Sequence, residues 1–217
     1  MPRDWGVVVE NLPDVGRLVH LAMRLDSFAE DQIRGQLTQM RRRFYEQELT
    51  IQARRVGCPG RSGLLRNGPL LSELNEMSIR DATSIVNTYN YDLAAAIAAI
   101  RSETPSANRH VYASRLQGWE AQRNQWKSAQ INQYAEGTAR SLAQAHFVEF
   151  NRIEGYAVLQ PTSAVCPVCQ GWIKRGKVPM KVAMNNPPPY HPNCPHSWAL
   201  RPDKAPDEEC RLLWMGE

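Results

Sequence analysis

Nowhere does the sequence hold an apolar run long enough to span a bilayer. Its opening, Met1-Pro2-Arg3-Asp4-Trp5 followed by three valines before Glu10, lacks the apolar core of a secretion signal. The expectation is a soluble, unprocessed chain with no membrane partner. Charge of one sign is scarce as well: 26 basic against 22 acidic residues leave a net charge of +4, too little to mark a nucleic-acid protein by composition. Cysteines number only five, an odd count, and four of them follow residue 165. That excludes a disulfide framework spread over a secreted domain and fits a local metal site in a reducing compartment. Proline is absent between residues 108 and 153, while ten of the fifteen prolines fall between residues 161 and 206.

At 217 residues the chain can build its own hydrophobic core without metal. Ile33, Leu37, Met40, Phe44 and Ile51 recur at helical spacing behind a Ser27/Glu30 capping box, and this helix is expected to stop near Gly57. Residues 57–70, with four glycines and two prolines, read as a loop. A second helix is expected from a Ser78 cap through Ile79, Ala82, Val86, Tyr89, Leu93, Ile97 and Ile100. It ends before Pro105, whose ring removes a backbone donor. The proline-free stretch carries Tyr112, Leu116, Trp119, Trp126, Tyr134, Leu142, Phe147 and Phe150 in helical register, with Gly118 and Gly137 as the expected points of bending. After Gly155 the helical period ends. The predicted fold is mainly α: a helical body with long helices over residues 1–154, and a small irregular C-terminal zinc-binding module over residues 155–217.

Two clusters in that module carry chemistry. Cys166-Pro167-Val168-Cys169 has the spacing of a zinc knuckle, and His191-Pro192-Asn193-Cys194-Pro195-His196 supplies a third thiol and two imidazoles. Three thiolates and one imidazole suit a single structural Zn²⁺. His191 repeats before Cys194 the three-residue step of the knuckle and is the expected fourth ligand. His196, two residues after Cys194 and on the same face of an extended segment, is the alternative or a second donor near the metal. Cys58 and Cys210 lack partners at ligand spacing and read as plain thiols.

Three enzyme readings compete with a structural zinc site. Residues 171–178, Gly-Trp-Ile-Lys-Arg-Gly-Lys-Val, imitate a phosphate-binding loop, but Val178 stands where a hydroxyl must meet Mg²⁺. A zinc deaminase requires His-x-Glu, whereas His146-Phe147-Val148-Glu149 has the wrong spacing in a helical pattern. A metal-dependent, HNH-like nuclease acting on DNA is the stronger alternative, because His191, Asn193 and His196 supply a base and metal ligands. The sequence puts no spare carboxylate beside them.

The two ligand clusters resemble those of the phage minor head protein family, the Mu F-like or head morphogenesis proteins. Thr138-Ala139-Arg140 leads through Ala145-His146-Phe147 and Asn151 to Cys166-Pro167-Val168-Cys169, and Pro188-Pro189-Tyr190-His191-Pro192-Asn193-Cys194-Pro195-His196-Ser197-Trp198 closes the match. It covers about the last eighty residues. It departs from the family at Pro195, where a basic residue is usual, and after the first cysteine pair, where only Gly171 represents the usual Asp-Gly. Relatives carrying cysteine in place of His196 favour that position as a ligand.

The resemblance implies a non-enzymatic, minor structural protein of a tailed-phage virion, made in the host cytoplasm and built into the head. Its implied partners are the portal or the major capsid protein, and packaged DNA. Arg41, Arg42 and Arg43, with Arg54, Arg55, Arg61 and Arg66, offer a basic patch for phosphates or an acidic portal surface. The same arginines also fit a solvated helix face paired with Glu46 and Glu48.

Overall fold

A computed structural model describes residues 15–55, 68–104, 109–160, 165–190 and 194–203. The elements in chain order are α1 (Val15–Arg55), α2 (Gly68–Glu103), α3 (Arg109–Phe150), β1 (Gly155–Leu159), α4 (Pro167–Arg175), β2 (Val178–Pro179), α5 (Met180–Met184) and β3 (Trp198–Pro202). The protein is mainly helical, as its apolar spacing requires, with one small sheet among the described residues.

Two helices begin earlier than their sequence signals. Ser27 lies inside α1, so Ser27 and Glu30 are not a capping box; Glu30 instead accepts a hydrogen bond from Thr83 Oγ1 at 2.6 Å. Ser78 is a fully buried residue within α2, not its cap. Neither Gly118 nor Gly137 interrupts α3. Residues 68–70 of the expected loop are helical, and the rest of it up to Gly68, including Cys58, Arg61 and Arg66, lies outside the described residues.

By packing, the chain divides into two compact units, Met1–Gln36 with Met77–Ala129, and Leu37–Glu76 with Gln130–Glu217. The division does not fall at residues 154/155, where the secondary structure changes character. In the first unit Leu93, Ile97 and Ile100 of α2 pack on Ala113 and Leu116 of α3, flanked by Tyr89, Tyr112 and Trp119. Arg123 lies 4.5 Å from the Tyr89 ring centre and donates twice to Asp92 Oδ2, at 3.1 and 3.0 Å. A half-buried cation is thus satisfied on its face by a ring and on its edge by a carboxylate.

The second unit has one core that runs from the helices into the sheet. Tyr45, Leu49 and Ala53 of α1, Leu74 of α2 and Ala139, Ala143 and Phe147 of α3 share it with Ala157 and Leu159 of β1, Val178 of β2, and Trp198 and Leu200 of β3. The C-terminal region is therefore not irregular. It forms an antiparallel sheet of order β2-β1-β3, with Ala157 paired to Val178 on one side and to Leu200 on the other. Period-two alternation buries Ala157 and Leu159 and leaves Tyr156 and Val158 partly exposed. Gly155 opens β1 at φ +140°, and a Cβ there would collide with the Arg201 carbonyl oxygen, so only glycine fits.

Burial within α1 corrects the basic-patch expectation. The buried stripe is Leu37, Arg41, Tyr45, Leu49 and Ala53, at steps of four, and Arg41 is 0% exposed. Arg41 is a core residue, Arg42 is paired with Glu46 at 3.3 Å, and Arg43 alone of the three is exposed. Glu48 pairs not with these arginines but with Arg140, at 3.0 Å. Phe150 and Ile79, although in register with the apolar helical spacing, are 45% and 38% exposed.

Candidate metal centre

Cys166 sits at the N-cap of α4 in extended conformation, with Pro167 taking the first helical turn, where its missing N–H costs nothing. The helical turn brings Cys169 back over Cys166, whose Sγ accepts the Cys169 backbone N–H at 3.4 Å. Cys194 and His196 lie just before β3, whose pairing with β1 fixes them against the α4 turn. Cys169 Sγ lies 3.6 Å from Cys194 Sγ, and Cys194 Sγ lies 3.6 Å from His196 Nδ1. These three ligand atoms all lie within 4.8 Å of one another, and all three residues are buried.

A tetrahedron with Zn–S of about 2.3 Å and Zn–N of about 2.0–2.1 Å has S···S edges near 3.8 Å and S···N edges near 3.6 Å. The two closest separations match those edges. Soft thiolates and an imidazole, with Cys169, Cys194 and His196 buried, suit a structural site for zinc, which would hold the α4 turn and the approach to β3 together.

Electrostatics agree with that chemistry. Burial pushes the Cys169 thiol well above the usual range, and the neighbouring Cys166 and Cys194 push it further. Cys166 shifts the opposite way, because the Cys169 N–H stabilises its thiolate. Crowded thiols that resist ionisation together are what a divalent cation would compensate. Tyr190, raised first by burial and then by the three cysteines, faces the same cluster; its hydroxyl donates to the Asn186 carbonyl at 2.9 Å. Trp198 Nε1 donates to that carbonyl at 3.1 Å, and Trp172 stands edge-on to Trp198 with ring centres 5.6 Å apart.

Cys169, Cys194 and His196 are thus brought together, with Cys166 adjoining through Cys169. His191, put first by spacing, lies outside the described residues, as do Asn193 and Cys210. Cys166, Cys169 and Cys194 are free thiols.

A cleft of about 420 Å³ opens beside Cys194 and His196, and its far wall holds Glu48, Glu136, Arg140 and Gln144 from α1 and α3. No local spacing points to these carboxylates, which lie on α1 and α3, at least 30 residues from any of the ligands. Glu48 accepts from Gln52 Nε2 at 2.5 Å, Gln144 Nε2 at 2.8 Å and Arg140 Nη1 at 3.0 Å. Gln144 Nε2 also donates to the Trp198 carbonyl at 3.2 Å, tying this network to β3. A carboxylate with its lone pairs so occupied is a structural hub and a poor base.

The remaining motifs resolve as local structure. Residues 171–175 are helical, and Gly176 ends α4 at φ 66°, so the phosphate-loop imitation closes a helix instead of opening one. His146 accepts from or donates to Tyr45 OH at 2.8 Å through Nδ1, with Nε2 3.5 Å from Glu73. Its two nitrogens are engaged on a helix face. Comparison with protein-family models, curated proteins and solved structures finds no match to this chain.

Proposed function

We propose that this chain is a minor structural protein of a tailed-phage head, of the head morphogenesis type, stabilised by one zinc ion. Cys169, Cys194 and His196 are assigned as ligands, with Cys166 completing the tetrahedron. The observation that carries the reading is the mutual approach of Cys169, Cys194 and His196 within the two motifs that resemble that family. Zinc in this role supplies folding free energy by cross-linking the α4 turn to β3. Its partners in this reading are the portal or the major capsid protein. A non-enzymatic role is supported by the occupied carboxylate Glu48 and by the burial of His196 among the ligand thiols, which takes it up as a ligand and away from general-base chemistry.

Mass spectrometry of purified particles is expected to find the protein at low copy number, and deletion of its gene should yield particles defective in DNA retention or infectivity. Normal infectious particles without it would sink the reading. Cleavage of plasmid DNA with Mg²⁺ or Mn²⁺, abolished by substitution of His196, would instead establish the nuclease.

A further inference from the structure

Charge in the folded protein is concentrated where the sheet is. Between residues 155 and 202 there are five basic side chains, Lys174, Arg175, Lys177, Lys181 and Arg201, and not one Asp or Glu. The rest of the chain then holds 21 basic against 22 acidic residues and is balanced. All five of the basic residues are exposed.

Their surroundings differ from those of the paired arginines on the long helices. Arg34, Arg42, Arg115, Arg123 and Arg140 each pair with a carboxylate. Among the described residues no carboxylate pairs with any of the five. What holds two of them is aromatic: the Arg175 guanidinium lies 4.5 Å from the Trp172 ring centre, and Lys177 Nζ lies 4.6 Å from that of Tyr156. Arg201 is the strand partner of Tyr156, so it stands on the same face of the sheet as that ring. Cations stacked on rings are ordered in advance yet keep their charge for an incoming anion. A metal held by three thiolates would subtract a single, buried charge.

We infer that the turn at residues 174–177, together with Arg201, binds the phosphate backbone of nucleic acid. Protein interfaces are depleted in lysine and need a buried apolar anchor, whereas backbone phosphates are met by exposed Lys and Arg as point charges. Lys174, Arg175, Lys177 and Arg201 supply such charges without a base-reading element, so the binding is indifferent to sequence. These residues are not Arg41, Arg42 and Arg43 of α1, and the inference does not depend on the virion reading.

The test is fluorescence anisotropy of the full chain with a short labelled DNA duplex, over a series of salt concentrations. Four phosphate contacts predict a slope of log K against log salt of about −3.6. Replacing Lys174, Arg175, Lys177 and Arg201 by Gln should weaken binding at low salt by at least about tenfold and flatten the slope. A charge-matched control, Gln at the exposed helical residues Arg43, Arg54, Arg55 and Arg80, should retain most of the affinity. If the fourfold variant fails to fold, Lys174→Gln and Arg201→Gln singly should each reduce the slope by about one. Absence of DNA binding, equal losses in the control, or equally tight binding of poly-glutamate of matched charge would each overturn the inference. The last result would assign the surface to an acidic protein. The full chain is used so that competition from the acidic residues 207–209 is included.

Discussion

Cys169 and Cys194, 25 residues apart in sequence, place their sulfurs 3.6 Å from one another in the core of the second unit. A metal ion shared with the His196 imidazole would account for that approach of two polarisable thiols. In the zinc reading, removing the metal would free the segments before β3 and around α4 of their cross-link, while the helical core keeps its own apolar packing. Chelation is therefore expected to loosen residues beyond Gly155 and leave most of the helical circular dichroism intact. Complete loss of helix on adding chelator would contradict this division of labour.

Arg41 and Arg43 should behave as opposites although they are two residues apart. Arg41→Ala truncates a fully buried side chain and is expected to cost about 2–3 kcal/mol. Arg43→Gln, on the exposed side of α1, should leave the melting temperature unchanged. Thermal melts of the two variants decide the matter, and equal melting temperatures would refute the burial of Arg41.

Glu48 is expected to matter for stability through the donors it satisfies. Glu48→Ala leaves Gln52, Gln144 and Arg140 facing a void and should cost about 3 kcal/mol. Urea unfolding measures it, and a loss below about 1 kcal/mol would mean the network contributes little.

Acid should weaken the protein through His146. Burial lowers its pKa below the ordinary value of 6.5, with Glu73 and Glu149 opposing the shift. The folded state therefore prefers the neutral ring: that stability is fully present above pH 6.5 and is lost as pH falls from there through the folded pKa. In chelated protein, His146→Gln should flatten the decline of melting temperature below pH 6.5. An unchanged pH profile in that variant would assign the decline to other groups.

Gly155→Ala forces a Cβ against the backbone of β3 at a φ that L-residues avoid. A cost of about 1–3 kcal/mol is expected, with frayed β1–β3 pairing visible as faster amide exchange at Leu200. Unaltered exchange there would contradict the close approach.

The helices and ligand clusters were legible because both are written in short spacings. Ile97 and Ile100 on one helix face and the Cys166/Cys169 step are local patterns that survive any tertiary arrangement. The sheet was not legible: β2 has two residues, β3 itself ends in Pro202, and the Tyr156–Arg201 pairing spans 45 residues. Glu48 and Gln144 meet across 96 residues for a similar reason. Arg41 is a surface residue by type, yet the step of four through Leu37, Tyr45 and Leu49 carries it into the core stripe.

Metal content tests the central claim most directly. Elemental analysis of the purified chain should give about one zinc, with loss in Cys169→Ser, Cys194→Ser and His196→Ala, while His191→Ala retains it if His196 is the imidazole ligand. No zinc in the unsubstituted protein, or full zinc after removal of both Cys169 and Cys194, would contradict the account.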